Sequence, residues 1–196
     1  MKKYIAIVII GLLSTTAFAQ QTNLDKFNKE REKISKTGIK ILAGYSAANI
    51  IYGSIAAGQS TGSNKYFHEM NAIWNGITLG ITGIGFLTAK KEGTLSYSES
   101  LKKQQNIEKF FLFNAGLDVA YIAGGAYLKE RAKTTTKNPL RLKGYGESVM
   151  LQGGVLLLFD GIMYAIHNRH GKFLNKMVEN IKLMGTENGI SLVVKL

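Results

Sequence analysis

The sequence predicts an all-α protein, a four-helix transmembrane bundle that could be a duplicated helical hairpin, with an amphipathic helix at its C-terminus. Three observations predict this fold class. Four apolar segments approach the roughly 20 residues that a helix needs to cross a bilayer. They are rich in glycine and alanine, which membrane helices tolerate well. Polar residues within them recur at helical spacing. Among 196 residues there is one proline and no cysteine, so disulfides and cysteine-ligated metals are excluded.

The first 19 residues have the pattern of a secretory signal peptide. Lys2 and Lys3 precede a short apolar stretch, and Ala17-Phe18-Ala19 supplies the small-x-small cleavage pattern. The apolar stretch is too short for a comfortable membrane span. We therefore expect export to the bacterial envelope. The expected organisation is a signal peptide at 1–19, a membrane bundle at 20–170, and an amphipathic helix with a short extended tail at 171–196.

The four apolar segments are the expected membrane helices. Small residues recur four apart in three of them, a spacing that lets helix backbones approach closely in lipid. The segments cover residues 38–58, 67–89, 110–128 and 148–167, and the small residues are Gly53 and Ala57, Gly76 and Gly80, and Gly116, Ala120 and Gly124. We expect these small residues to mark the helix contacts.

The C-terminal region changes character after the fourth segment. The stretch HNRHGKFLNKMVENIKLM, residues 167–184, predicts a basic amphipathic helix lying at the membrane surface. Asn188-Gly189 predicts a turn, and ISLVVKL, which follows it, predicts a short strand.

Charge and motifs limit the classes of function. A net charge of +12 would favour nucleic acid in an intracellular chain. Here the basic residues fall between the apolar segments, so we expect a lipid bilayer as partner and no nucleic acid. The chain has no phosphate loop, HExxH or nucleophile elbow, so we expect no enzyme and no cofactor. His167 and His170 have helical spacing for a shared metal, but no third ligand is evident, and we expect no metal site.

The two halves of the chain resemble each other. Asn49-Ile-Ile-Tyr52 matches Asp118-Val-Ala-Tyr121 at an offset of 69 residues. Glu69 matches Glu147 and Gly76 matches Gly154, both 78 residues apart. Two hairpins with the same sense across the membrane would form a parallel repeat. Chance similarity between apolar, glycine-rich segments is the alternative explanation.

Each predicted helix carries one polar face. An unpaired polar group costs several kcal/mol in hydrocarbon, so these faces should meet inside the bundle. At about 1.5 Å per residue, Asn49, Asn75 and Asp118 fall about 12–15 Å from one end of their spans. We expect Asp118 in a layer with them and Gln152, either protonated, hydrogen-bonded to amides, or paired with a bound cation. The candidate interior residues are Asn49, Asn71, Asn75, Asn114, Asp118, Tyr121, Gln152 and Asp160.

Polar residues inside a membrane have two interpretations. For the asparagines we favour hydrogen bonds that fix helix packing. For Asp118 and Asp160 we favour a function, because a carboxylate is a costly choice where an amide would serve.

A second polar group, which we call the mouth cluster, lies where the second and fourth helices begin and the third ends. It could bind an anionic headgroup or a small polar ligand, and interfacial anchoring with surface ion pairs is the alternative. Its members are His68, Glu69, Arg131, Arg141 and Glu147.

Three strings carry a resemblance to a known family. They are FHEMNAIWN at 67–75, NAGLDVAYIAGGAYLKER at 114–131 and RLKGYGESVMLQGGVLLLFDGIMY at 141–164. Together they resemble an uncharacterised family of exported bacterial membrane proteins with a domain of unknown function. The resemblance implies a membrane location and a shared architecture. It implies no activity and no catalytic residue.

The sequence therefore leaves several functions open. The first is a bacterial inner-membrane protein, with its mature N-terminus in the periplasm, that binds or conducts a small ligand, ion or proton through a polar interior and could form a homo-oligomer. The second is a structural or accessory membrane subunit. A lipid-modifying enzyme acting at the mouth cluster and a soluble periplasmic helical bundle are further alternatives.

Overall fold

Four long helices make up nearly all of the fold, as predicted. The computed structural model describes the backbone of residues 2–88, 93–179, 181–186 and 189–194, and the side chains of 21–88, 93–174 and 176. The helices are α1 (Lys2–Gln59), α2 (Gly62–Thr88), α3 (Tyr97–Arg131) and α4 (Pro139–Glu179). Two short strands follow, β1 (Ile181–Thr186) and β2 (Gly189–Val194).

The helices pack as two antiparallel hairpins side by side. The most extensive contacts join α3 to α4, followed by those between α1 and α2 and between α2 and α4. Gly144 of α4 packs on the backbone at Phe67 of α2, and Gln152 bonds Asn71 one to two turns further along both helices, so α2 and α4 run parallel. Helix α1 meets α3 and α4 over short stretches only.

Local sequence signals set the helix boundaries. Gly62, with φ +61°, occupies the left-handed region that favours glycine, and it is the first residue of α2. Proline suits the first turn of a helix, and Pro139 begins α4 directly after Asn138, whose φ is also positive. Helix α3 begins with a reciprocal capping box: the Ser96 hydroxyl accepts from the Glu99 N–H at 3.3 Å, and the Ser96 N–H donates to Glu99 Oε2 at 2.8 Å.

The capping box makes the start of α3 sensitive to pH. The Ser96 backbone N–H and then its hydroxyl donate to the Glu99 carboxylate and hold the pKa of Glu99 below its usual range. A lowered folded-state pKa gives stability that is present above the unfolded pKa, about 4.3, and is lost as pH falls through the folded value. We expect Ser96→Ala to lower the free energy of unfolding by about 1 kcal/mol at neutral pH. It should also raise the pKa of Glu99 in an NMR titration; an unchanged pKa would contradict the role of the cap.

Polar side chains fill the interior and apolar side chains cover the outside. Asn71, Asn75, Asp118 and Gln152 are each at most 2% exposed, whereas isoleucines such as Ile77 and Ile81 are more than half exposed. This inverted distribution is what a helical bundle in lipid requires. The buried hydrophobic cluster, Leu24, Phe27 and Leu174, is small and lies at one end of the bundle.

Three helices are long and apolar enough to cross a membrane: α1 over 21–59, α3, and α4 over 139–174. The sequence predicted four spans, and α2 is not among these three. Its buried residues are polar: Asn71, Asn75 and Thr82. Since those side chains face the bundle, α2 still presents isoleucines outward at 73, 77, 81 and 84.

The C-terminal region differs from its prediction. No separate amphipathic helix follows residue 170, because α4 continues without a break to Glu179. Residues 181–184, predicted to be helical, belong to β1. The predicted terminal strand is confirmed as β2, which pairs antiparallel with β1 from Ile181 opposite Val194 to Thr186 opposite Gly189. The predicted turn residue Asn188 lies outside the described residues.

Glycines form the closest helix contacts, but most of them are not the predicted ones. A Cβ on Gly53 would lie 2.9 Å from the carbonyl oxygen of His68, so this glycine does lie against α2. There is open space beyond the Cα atoms of Gly76, Gly80, Gly116 and Gly124. The prediction that these glycines form helix contacts within the chain is therefore wrong. The tight positions are instead Gly38, Gly125, Gly144, Gly146, Gly153 and Gly171, most of them on α4.

Candidate functional site

A network of amide groups joins three helices in the middle of the bundle, and we call it the amide network. Asn71 of α2 is its centre. The Asn71 Nδ2 donates to Asn49 Oδ1 of α1 at 3.2 Å, while Asn71 Oδ1 accepts from Gln152 Nε2 of α4 and from Asn75 Nδ2 at 3.2 Å. The Tyr45 hydroxyl donates to Gln152 Oε1 at 3.2 Å. The structure therefore brings together four predicted site residues, namely Asn49, Asn71, Asn75 and Gln152.

A pair of carboxyl groups lies beside this network and joins α3 to α4. Asp118 is 2% exposed and Asp160 is 8% exposed. Their side chains are within hydrogen-bonding reach of each other. Two ionised carboxylates have no hydrogen to share, so the two groups can bond each other only when one of them carries a proton. We call Asp118 and Asp160 the carboxyl pair.

The position of Asp118 follows from how closely α3 and α4 approach. A Cβ on Gly153 would come within 2.9 Å of the Asp118 carbonyl oxygen, so only a glycine fits there. The same close approach recurs at Gly125 and Gly146, about two turns away, and holds the two backbones together. The Asp118 carboxyl group consequently points into the α3–α4 interface.

Some predictions for the third helix are wrong. Asp118, expected to be protonated, hydrogen-bonded to amides or paired with a bound cation, lies within hydrogen-bonding reach of Asp160. Asn114 donates only to the carbonyl oxygen of Phe110, one turn back on its own helix. Tyr121 is 36% exposed, and its ring meets the edge of Trp74 at a centroid distance of 4.8 Å. A shared helical face does not bring these side chains into one site, because α3 buries only the narrow strip that faces α4.

A further polar cluster, which we call the joint, ties the middle of α1 to α3 and α4. Arg31 is 1% exposed and donates to the Ser100 carbonyl oxygen at 3.1 Å, and Asn28 donates to Ser100 Oγ at 2.9 Å. Gln104 Nε2 donates to the His167 carbonyl oxygen at 2.6 Å. Sequence reasoning missed Arg31, Ser100 and Gln104, because they lie in charged stretches that look like exposed helix surface.

The two histidines of the joint make separate contacts. The His167 ring stacks on Phe111 at 5.5 Å, and its Nε2 lies 3.4 Å from Ser35 Oγ. The His170 ring stacks on Phe27 at 4.2 Å, and its Nε2 lies 3.0 Å from the Phe27 carbonyl oxygen. Each ring therefore has a packing role of its own.

The mouth cluster is spread over separate pairs. Lys129 Nζ lies 3.3 Å from Glu147, and Lys65 Nζ lies 4.0 Å from Glu69. The Arg141 guanidinium lies 4.9 Å from the centre of the Tyr145 ring. His68 contacts the rings of Tyr52 and Phe67, and Arg131 is exposed. These contacts suit a solvated end of the bundle better than a converging pocket.

Comparisons with known proteins identify a family. No curated protein and no solved structure matches the chain. A family model does match residues 41–161, which is more than half of the chain and contains the amide network and the carboxyl pair. The match supports the resemblance noted in the sequence. The chain belongs to the family of unknown function DUF6992.

Proposed function

We propose that this protein is an integral membrane protein of the bacterial envelope that binds and releases a proton at the carboxyl pair. The observation that carries the proposal is the contact between Asp118 and Asp160 in the buried interior. Intramembrane carboxyl groups are costly and mark proton or ion sites more often than packing sites. The signal-peptide pattern supports insertion in the inner membrane with the mature N-terminus in the periplasm.

The absence of a basic partner supports a proton in particular. Among the described residues, no Lys, Arg or His forms an ion pair with either carboxyl group. Two unscreened negative charges this close together would repel strongly. One bound proton removes half of the charge and supplies the hydrogen that joins the two groups. Gain or loss of that proton would change how tightly α3 and α4 hold each other.

The membrane location has a direct test. Carbonate washing of membranes from cells that express a C-terminally tagged copy should leave the protein with the bilayer. The outward isoleucines of α2 and the three helices long enough to cross support this expectation. Release into the wash would overturn the membrane location, and the carboxyl pair would then be a buried polar contact of a soluble bundle.

Asp160→Asn tests the proton itself. The asparagine amide can donate to Asp118 in place of a protonated carboxyl group, so the fold should survive while the shared proton is lost. Infrared spectra of the purified protein should show a protonated carboxyl band that shifts in D2O. We expect Asp160→Asn and Asp118→Asn each to abolish this band. In proteoliposomes with an entrapped pH dye, we expect both variants to lose proton uptake.

Glu147→Gln is the matched control for these variants. Glu147 lies on α4 as Asp160 does, but its side-chain partner is Lys129. This variant should leave the protonated carboxyl band unchanged. A band that persists in both aspartate variants would show that the pair carries no shared proton, and the proposal would fail.

A structural role is the second candidate, and the amide network favours it. Its bonds link α1, α2 and α4 side chain to side chain, as interhelical polar contacts in membrane proteins do. Under this alternative the carboxyl pair would only fix packing. Asp160→Asn would then leave every functional readout unchanged, because its amide preserves the contact.

We also propose that the two hairpins arose by duplication. Where α4 crosses α3, the α4 residues in close contact are Gly146 and Met150. Where α2 crosses α1, the α2 residues in close contact are His68 and Ala72. These positions are 78 residues apart, which is the offset found between the second and fourth segments. Arg31 bonds Ser100 across the joint, and their separation of 69 is the offset between α1 and α3. Both agreements support a parallel repeat, in which the glycines at the two crossings, Gly53 and Gly125, are displaced by three residues from the α1–α3 offset.

A further inference from the structure

Buried side-chain oxygens without a hydrogen-bond partner occur on every helix of the bundle. Ser46 Oγ of α1, Asn75 Oδ1 of α2, Asp118 Oδ2 of α3 and Ser148 Oγ of α4 have none among the described residues. Each of these four residues is at most 2% exposed. Buried oxygens normally have a partner, so a group of them indicates a bound water or ion.

Contacts between α1 and α2 place two of these oxygens at one level. Asn49 of α1 bonds Asn71 of α2, and the two helices run antiparallel. Ser46 lies one turn before Asn49 on α1, and Asn75 lies one turn after Asn71 on α2. Moving one turn in opposite directions along antiparallel helices reaches the same height, so Ser46 and Asn75 lie at one level of the bundle.

Contacts with α4 place the carboxyl pair at that level too. Gln152 bonds Asn71, and since α2 and α4 are parallel, residue 156 lies at the level of Asn75. The Asp118 backbone lies beside Gly153, and its carboxyl group reaches Asp160. That carboxyl group therefore spans the interval around residue 156. Ser148 is eight residues earlier on α4, about 12 Å away along the axis and beyond the amide network.

We propose that Ser46 Oγ, Asn75 Oδ1 and the carboxyl pair form a binding site for a sodium ion. This proposal rests on the proposed function, because it places the ion at the same carboxyl pair. A carboxyl oxygen of the pair would supply the negative charge that balances a monovalent cation within the bundle. Uncharged hydroxyl and amide oxygens can complete the coordination of such a hard ion without adding charge, as oxygen ligands do for hard cations generally. Those oxygens come from α1 and α2, so the ion would link both hairpins.

Thermal unfolding of the detergent-solubilised protein tests the site. The fluorescence of Trp74, the single tryptophan, reports unfolding because its ring packs against Tyr121 between α2 and α3. A ligand that binds only the folded state raises the melting temperature with its concentration. We expect NaCl to raise it relative to choline chloride at equal ionic strength. Ser46→Ala should weaken the apparent sodium affinity by roughly tenfold, as expected for one lost oxygen ligand to a charge.

Ser148→Ala is the matched control. It removes an equally buried and equally unpartnered hydroxyl outside the proposed site, so its sodium response should equal that of the unaltered protein. The infrared band of the shared proton provides a second measurement, and sodium should shift it in the unaltered protein. Equal effects of NaCl and choline chloride, or equal losses in both serine variants, would overturn the sodium site. A shared-proton band that is present but insensitive to sodium would overturn this inference alone and leave the proposed function intact.

Discussion

Gly125→Val is expected to destabilise the bundle by at least about 3 kcal/mol, the upper part of the usual range for overpacking. A Cβ at this position would lie 2.6 Å from the Gly146 carbonyl oxygen and 2.8 Å from the Met150 amide nitrogen. Both are backbone atoms, so relief requires α3 and α4 to separate. The separation would also pull apart Asp118 and Asp160, which lie on the same two helices.

Gly124→Val is the control for this variant. Gly124 is the neighbouring residue on α3, and nothing lies within 4 Å of a Cβ built there. The two variants share the same cost of placing a β-branched residue in a helix. The difference between their stabilities therefore reports the close contact of α3 with α4. Thermal unfolding in detergent should give a melting temperature on the order of 10 °C lower for Gly125→Val. Equal melting temperatures would show that the two helices do not approach this closely.

Asn71→Leu is expected to remove the centre of the amide network. Its side chain bonds Asn49, Asn75 and Gln152, and leucine can bond none of them. Bonds between membrane helices contribute about 0.6 kcal/mol each on average, and an orphaned buried amide costs more. We expect a loss of about 2–3 kcal/mol and looser contact of α2 with α1 and with α4.

Asn114→Leu makes the same chemical change where no network exists. Asn114 bonds only the Phe110 carbonyl oxygen of its own helix, so its replacement should change stability little. Chemical denaturation of both variants in mixed micelles gives the comparison. A loss at Asn114 as large as that at Asn71 would mean that these asparagines act through local helix effects and not through contacts between helices.

Helical periodicity and apolar length were enough to predict the fold. They identified all four helices, because in lipid each helix must satisfy its own backbone and carry an apolar surface. They failed where packing decides the outcome. Gly76 and Gly124 have the spacing of close contacts but face outward, whereas Gly125 and Gly146 make the contact. Spacing along one helix does not show which face its neighbour covers.

The candidate site was predicted in composition but not in pairing. Six of the predicted residues face the interior of the bundle, as their helical spacing indicated: Asn49, Asn71, Asn75, Asp118, Gln152 and Asp160. The pairing of Asp118 with Asp160 was not predicted, because it depends on the register between α3 and α4. The joint was missed altogether, since Arg31 and Gln104 lie among charged residues and only their neighbours on other helices bury them.

The distances along the chain between bonded partners impose an order of assembly during synthesis. The first hairpin can close as soon as α2 has emerged, because Asn49 and Asn71 are 22 residues apart. Gln152 is made 81 residues after Asn71, so the Asn71 side-chain oxygen lacks this donor until then. The joint closes last, since Phe27 waits for His170, 143 residues later. The end of the chain that is made first is therefore the end that is fastened last.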